Sequence, residues 1–592
     1  YNKAVPAAMA SLTGKHVVVP SEAGLMGAFG VALEMERRMD QGLLKSQEYD
    51  LQELIAREVE YGEPFKCGGG KDCDRGCEIS RIKIKGKVYP FGGTCNRYDN
   101  LVHNRKVKTE DLNLVIKREQ RVFRDLTPAT PADPADSAAP ADTRPTVGMN
   151  RSFLINTYFP FFNAFFAELG FRLTIPSKED PKGMDQQGAA FCYPVEIAHN
   201  YAAALLAEKP DYIFMPHLRG LDTGEPDMTS CTCVLVQGEP YYLRTAFLAL
   251  ANDDKVVSQA IDFSNGNTAD IKAFRELAQK LGVDPTKVAA ALEVADTAQK
   301  TFTEDIREIG RQGLAAIEAD PEKFGTVVFG RPYNAFASVA NKGIPAKFAS
   351  RGITVIPFDM LPYWEEQLAD DENMYWATGQ IILKGARFVK RHPQLYATYI
   401  TNFSCGPDSF LISFFRDIMG RKPSLTLELD SHTADAGLET RIEAFLDITR
   451  YHSEVGKNKQ LAKVQEQPFR AAVLEDKKGV TGVRTSDNRW LPLTDPNVRV
   501  LVPAMSRYAT PLLAAAFRRV GIRAEALPPA DEEALKLGRG HSSCKECLPL
   551  QTTLGSLLKR IKTRKADEVL VYYMPGADGP CRFGQYYVFT GR

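Results

Sequence analysis

The chain has 592 residues, too many for one hydrophobic core at the usual scale of about 100–200 residues per domain, so about three to five domains are expected. Lysine plus arginine (74) equals aspartate plus glutamate (74), so no global field draws in nucleic acid or acidic lipid, and nucleic-acid binding is set aside. No apolar run approaches the roughly 20 residues of a bilayer span, and the opening YNKAVPAAMA lacks the basic-then-apolar profile of a secretion signal, so a cytoplasmic protein without a membrane anchor is expected.

In chain order, residues 1–45 carry KHVVVPSEAGLMGAFGVALEMERRM, which predicts a strand, a glycine-rich turn and a long helix, with Gly24, Gly27 and Gly30 allowing close backbone approach. Residues 46–110 hold a first cysteine group around the hairpin ISRIKIKGKVYPFGG. The linker is placed at 111–147, because its Ala/Pro/Asp tract LTPATPADPADSAAPADTRPTV cannot build a core. Beyond it, a strand-helix-strand-helix-strand pattern recurs. The first copy, 148–250, runs from TVGMN through FFNAFFAELG and FRLTIP, then Cys192-Tyr-Pro opening a helix, then DYIFMP. A helical spacer is expected over 251–320. The second copy, 321–425, is degenerate: TVVFGRPYN, GITVIPF, a helix near WATGQIILKGARFV and the strand LYATYITNFSCGPDSF, with Tyr375 and Trp376 near the place of a helix-opening cysteine. A second spacer is expected over 426–495, helical at 436–450. The third copy, 496–592, repeats the first from VRVLVPAM to Cys547-Leu-Pro opening LQTTLGSLLKRIK and the strand EVLVYYMP. The fold class expected is α/β: repeated Rossmann- or flavodoxin-like parallel-sheet units with helical spacers, plus a small four-cysteine module.

Eleven cysteines are too sparse here for a disulfide scaffold and too clustered for core filler, so metal or redox chemistry leads. The first and third copies share two features in register: C-x-P at a helix start, and C-x3-Q after the next strand, as Cys233 to Gln237 and Cys581 to Gln585. Cys192, Cys233, Cys405, Cys547 and Cys581 thereby fall at the carboxyl ends of strands, where loops and helix N-termini converge on ligands. A helix N-terminus lowers a thiol's pKa and favours an anionic cluster. For any one of them, a buried small hydrophobe is the alternative. With Cys544 of HSSCKECLP, the copies provide three thiols per half, Cys192, Cys233 and Cys405 against Cys544, Cys547 and Cys581, which would leave one iron of each cubane open. Cys231 of C-T-C competes with Cys233, which alone matches the C-x3-Q register. Cys67, Cys73, Cys77 and Cys95 suit tetrahedral zinc or a [4Fe-4S] cluster. Arg582, Gln585 and His432 are candidate proton donors or partners of cluster sulfur, with His217, Arg331, Tyr333, Asp430 and Asp435 nearby; the plainer role of His432 and its neighbours is to cap the following helix. No phosphate-cradling G-x4-G-K-[ST] loop or nucleophile elbow occurs.

The strings FCYPVEIAHNYAAALL, DYIFMPHL, VQGEPYYLR, GRPYN, NFSCGPDSF, LELDSHTADAGLETRIEAFLD and GPCRFGQYYVF resemble the 2-hydroxyacyl-CoA dehydratase/benzoyl-CoA reductase superfamily, and most of all its large double-cubane cluster proteins with fused activator-type ATPase modules. Residues 1–45 resemble the end of an actin/Hsp70-like activator ATPase domain, most of which would precede Tyr1, and the family's chain would continue beyond Arg592. The resemblance implies that ATP hydrolysis in that module, with Gly24, Gly27 and Gly30 as a remnant of its nucleotide domain, drives single electrons at very low potential. It also implies two [4Fe-4S] cubanes joined by a bridging sulfide and held by six cysteines, a number the repeats match.

The function expected is ATP-dependent reduction of a small unsaturated molecule, with an activator-type ATPase, fused or separate, as partner; a homodimer stays open. One rival is a dehydratase or acyl-CoA reductase with a single open cubane, which calls for a basic groove for a nucleotide tail that the sequence does not display. Another is a non-catalytic electron-transfer or redox-sensing protein, and a third is a zinc-stabilised scaffold.

Overall fold

The structure is a computed structural model, and it describes residues 4–40, 48, 50–68, 76–93, 96–102, 106–124, 142–189, 192–251, 253–369, 373–458, 472–543 and 545–591. It divides into two units, Tyr1–Gly93 and Thr94–Arg592.

In the first unit the glycine-rich segment does lead into a helix, Met26–Asp40, preceded by another at Ala4–Thr13. The expected strand KHVVV is absent: residues 16–20 have no regular structure. A strand without a neighbour leaves its N–H and C=O groups without a ladder, and no partner strand stands beside it among the described residues. Close approach at the glycines is not realised there either, since a Cβ at Gly27 or Gly30 would meet no atom within 4 Å. The hairpin is present as part of an antiparallel meander, β1 (Val59–Lys66), β2 (Glu78–Ile84) and β3 (Lys87–Phe91). Lys85 and Gly86 turn it with φ of 50° and 76°, the paired left-handed conformation of a two-residue hairpin.

The second unit holds three all-parallel sheets flanked by helices. The first comprises β4 (Thr146–Met149), β5 (Arg172–Thr174), β6 (Tyr212–Leu221) and β7 (Val256–Phe263), in the order β5-β4-β6-β7. The second has β8 (Gly325–Phe329), β9 (Thr354–Pro357), β10 (Leu395–Asn402) and β11 (Ser424–Leu429), in the order β9-β8-β10-β11. After an antiparallel meander, β12 (Val473–Lys477), β13 (Val480–Arg484) and β14 (Trp490–Pro492), comes the third, β15 (Val498–Val502), β16 (Ala524–Ala526) and β17 (Val569–Tyr572), in the order β16-β15-β17. All three begin 2-1-3 in local strand number, the flavodoxin-like doubly wound order, so the repeat inferred from the sequence is a repeat of topology.

The expected spacers are less purely helical than their periodicity suggested. The segment 251–320 first completes the sheet with β7 and only then forms the helices Ile271–Lys280 and Val288–Glu318. The segment 426–495 contains the helix Asp435–Asn458 and also β12–β14.

The core of this unit is aromatic. Phe159, Phe161, Phe162, Phe165 and Phe166, on the helix Ile155–Glu168, are all buried, and Phe165 meets Phe274 edge-on at 4.9 Å while Phe161 meets Phe263 at 5.3 Å. Residues 114–122, assigned by sequence to the linker, form a helix whose Leu114, Val115, Arg118 and Val122 are buried. Arg118 donates to Asp359 Oδ2 at 2.8 Å beyond β9 and to the carbonyl of Asn156 at 3.0 Å in the first module, so this helix braces two sheets. The Pro/Ala tract itself, 125–141, lies outside the described residues.

Breaking a buried charge pair strands the surviving ion, so Arg118→Leu is expected to cost about 3–5 kcal/mol at neutral pH. Arg118→Leu with Asp359→Leu should recover most of that loss. Denaturant titration of the two variants, compared as a cycle, checks both values.

Candidate functional site

Four of the five described repeat cysteines sit at helix N-caps. Cys192 precedes the helix Tyr193–Glu208, Cys233 precedes Val234–Gln237, Cys547 precedes Leu548–Ile561, and Cys581 precedes the 3-10 turn Arg582–Gln585. Proline at the second helical position, Pro194 and Pro549, explains why C-x-P marks two of these starts: its fixed φ suits the first turn, where its missing N–H is not needed. Cys405 follows β10 after Ser404, a non-glycine residue at φ 62°, and the amide of Asp408 donates to its sulfur at 3.4 Å.

Cys192, Cys233 and Cys405, drawn from two sheets, gather around Arg331 and Tyr333, each within electrostatic reach of the others. Arg331 is itself buried. Its Nη2 donates to Asp408 Oδ2 at 2.9 Å and to Asn402 Oδ1 at 2.7 Å, while Asn402 Nδ2 approaches Cys192 Sγ at 3.9 Å. Tyr399 Oη donates to Asp408 Oδ1 at 3.0 Å, and Thr401 donates to its other oxygen. The Arg331 Nε atom is buried with no hydrogen-bond partner among the described residues. Burial pushes the Cys192 thiol up to about 12 and the Cys233 and Cys405 thiols upward as well, against the pull of the nearby guanidinium. As free thiols the three are therefore neutral at physiological pH, and a bound metal would have to displace their protons.

The second set lies across the N-terminus of the helix Asp408–Met419. Cys547 Sγ and Tyr586 Oη are 2.6 Å apart, and Tyr586 stacks on Phe410 at 6.4 Å. Arg582 Nη1 donates to Ser409 Oγ at 3.4 Å, so consecutive residues of that helix face the two sets, Asp408 toward Arg331 and Ser409 toward Arg582. Tyr375 and Trp376 stand where the sequence placed them, Trp376 as the N-cap of the helix Ala377–Arg391. They hold the Cys581 loop through Tyr375 Oη to the Cys581 carbonyl (2.6 Å) and Trp376 Nε1 to the Pro580 carbonyl (3.3 Å). Cys544 lies outside the described residues.

The remaining candidates are placed as follows. Gln585 is buried, with Nε2 donating to the Asn373 carbonyl at 2.7 Å and Oε1 without a partner among the described residues; Gln237 likewise holds the Thr232 carbonyl at 3.2 Å. His432 is exposed in a turn where its amide donates to Asp430 Oδ1 at 3.1 Å, and His217 Nδ1 lies 2.9 Å from the Gln237 carbonyl. Gly24, Gly27 and Gly30 belong to the first unit, described above. There Cys67 and Cys77 continue the β1–β2 ladder, the Cys67 amide donating to the Cys77 carbonyl at 2.7 Å; Cys73 and Cys95 lie outside the described residues. Among the described residues, no three His, Cys, Asp or Glu side chains are grouped as a single metal ion requires. No helix among them is long and apolar enough to cross a membrane.

Two features escaped the sequence reading. Asp408 was visible in NFSCGPDSF, three residues after Cys405, but its guanidinium partner lies on another strand. An open surface cavity of about 350 Å³ is lined by Lys117, Gln120, Arg121, Arg124 and Ile309, where Arg121 and Arg124 also face Asp305 at 3.7 and 3.4 Å.

Residues 146–361 match the family model described as the CoA enzyme activase uncharacterised domain. No curated protein matches the chain. Among solved structures, a match is the C-terminal domain of glucosamine-fructose-6-phosphate aminotransferase from Francisella tularensis, 13% identical, covering 59% of this chain and 97% of that one with a TM-score of 0.14.

Glu239, in the same module, is buried and accepts hydrogen bonds from Ser152 Oγ and from Asn150 Nδ2, the latter at 2.8 Å. Burial raises its carboxyl from 4.5 to about 7, so between those values the folded protein binds the extra proton and loses stability as pH rises. The loss should total about 3–4 kcal/mol and level off above pH about 7, while Glu239→Gln should flatten the profile and gain most over wild type near pH 8. Denaturation midpoints between pH 5 and 8 test this.

Proposed function

We propose that the chain is the iron-sulfur component of a low-potential reductase, taking electrons driven by ATP hydrolysis in an activator-type ATPase module and delivering them to a small unsaturated molecule. Cys192, Cys233, Cys405, Cys544, Cys547 and Cys581 would hold a double-cubane cluster, and Cys67, Cys73, Cys77 and Cys95 a further [4Fe-4S] cluster or zinc. When bound, two cubanes joined by a sulfide provide storage for low-potential electrons.

The observation that carries this reading is the gathering of thiols from separate sheets around one buried guanidinium. The donor chemistry fits an anionic iron-sulfur group: soft sulfur ligands, a fixed cation beside them, and a guanidinium N–H, at Arg331 Nε, with no partner among the described residues. Four irons and four sulfides occupy far more space than one ion, so thiolates around a cubane stand farther apart than ligands of a mononuclear site. The chain's own residues bind and orient. Helix N-termini direct amides at the thiols, Arg331 offsets negative charge, and Tyr375 with Trp376 fixes the Cys581 loop. Arg582 is the cation of the second set, and by its placement is a better candidate than His432 for a role beside the centre.

A second reading, activation of a CoA-dependent partner enzyme through a single open [4Fe-4S] cluster, is favoured by the match over residues 146–361 and by the basic lining of the cavity at Lys117. Iron and acid-labile sulfide, counted in anaerobically purified protein carrying Cys67→Ser and Cys77→Ser, distinguish the two, with EPR before and after reduction. About eight irons are expected for joined cubanes, and about four would transfer support to the second reading. Zinc without sulfide would end both.

A further inference from the structure

Cys231 is two residues from Cys233, a span of at most about 7 Å, and its thiol still bears on that of Cys233, yet its backbone is tied to a different neighbourhood. Its segment lies along Tyr375 and Trp376 as a short parallel bridge: the Cys231 amide donates to the Tyr375 carbonyl at 2.8 Å, and the Ala377 amide donates to the Cys231 carbonyl at 2.9 Å. Gln380 Nε2 holds the preceding Thr229 carbonyl at 2.9 Å, and Thr229 Oγ1 reaches Asp578 Oδ2 at 3.5 Å. The same two aromatic residues grip the Cys581 loop from the other side through the Cys581 and Pro580 carbonyls. The loops of Cys231 and Cys581 are therefore clamped to one element. The thiols that bear on the Tyr375 phenol are those of Cys231, Cys581 and Cys547, whereas those that bear on Tyr333 are Cys233, Cys405 and Cys192.

We propose that Cys231, in place of Cys544, is the third thiolate ligand of the second set with Cys547 and Cys581, and that Cys233 serves the first set with Cys192 and Cys405, so that three thiols still face each cubane. This rests on the iron-sulfur reading above. It turns the C-T-C sequence from a choice between two ligands into a junction: one short segment of the first module gives a sulfur to each side, and so fixes the separation of the two sets. Cys231 is half-buried and Cys581 exposed, so iron and reagents have access to this side. On binding, the Cys231 thiol gives up its proton to solvent as the iron–sulfur bond forms.

The test has a metal-loaded and a metal-free arm, both on the whole chain. In the first, wild type, Cys231→Ser, Cys233→Ser and Cys547→Ser are reconstituted anaerobically with ferrous iron and sulfide, and iron, sulfide and EPR signals are compared. Cys231→Ser and Cys547→Ser are expected to lose the same part of the iron, about half of what the two sets hold, and the same EPR component, while Cys233→Ser loses the other. Wild-type iron content in Cys231→Ser, or a loss that follows Cys233→Ser, overturns the assignment. In the second arm, a short bis-alkylating thiol reagent is applied to iron-free protein and the joined peptides are identified by mass spectrometry. A link from Cys231 to Cys581 or Cys547 supports the placement. Links only to Cys233 or Cys192 overturn it. A wild type that takes up no iron defeats the reductase reading on its own, and the cross-linking result still decides where Cys231 faces.

Discussion

A guanidinium shut away from water must have its charge answered within a few ångströms, and the thiol-lined region is organised around that requirement at Arg331. The pairing of β8 with β10 brings Phe329 opposite Tyr399, so the chain leaving each strand arrives at the same edge, one with Arg331 and the other with Asn402 and Asp408. Gly330 makes the exit from β8 possible: its φ is 133°, and a Cβ there would lie 2.3 Å from the Ile400 carbonyl oxygen. Asp408 sits in the first turn of its helix, where the macrodipole already favours a carboxylate. A buried pair of this kind adds little net stability. What it provides is a charge of fixed sign and position beside Cys192, Cys233 and Cys405.

The repeated strand order explains why cysteines so far apart in sequence can share a neighbourhood. In each sheet the first and third strands are neighbours, so the loops that follow them emerge side by side at the carboxyl edge. The first module uses this edge for Cys233, after β6, and for the helix opened by Cys192. The second uses it for Arg331 after β8 and Cys405 after β10. The third uses it for Cys581 after β17, with Cys547 opening the preceding helix. Packing of Tyr586 on Phe410 joins the third edge to the second, and the Cys231 bridge to Trp376 joins the first to the second.

The parts of this arrangement that were legible in the sequence are the local ones. A cysteine followed by X-Pro reports a helix start because proline acts within one turn, and the recurrence of C-x3-Q reports a second such start; both are present at the expected positions. Choices between partners across modules were not legible. The linker expected over 111–147 is too wide because the Ala/Pro tract dominates its composition, whereas Leu114, Val115, Arg118 and Val122 form the buried face of a helix. The strand expected at KHVVV had the right residues but lacked a neighbour, which no local pattern can reveal. Nothing local to Asp408 marks Arg331, 77 positions earlier, as its partner.

At the helix start where the other copies carry Cys192 and Cys547, the degenerate middle module carries two aromatic rings, Tyr375 and Trp376. A cysteine side chain ends one atom beyond Cβ, so it can serve only what approaches the helix N-terminus closely. A tyrosine hydroxyl or an indole N–H reaches several ångströms farther and donates a hydrogen bond at the end of a rigid ring. Both rings spend that donor on carbonyls of the Cys581 loop, while their backbone pairs with the segment of Cys231. Gly584 belongs to the same contact, since a Cβ there would lie 2.6 Å from the Tyr375 ring and 1.9 Å from the Ala577 carbonyl. The second module thus gives the shared region one thiol, one buried cation and one aromatic clamp, and the clamp ties the Cys581 loop and the Cys231 segment to one element.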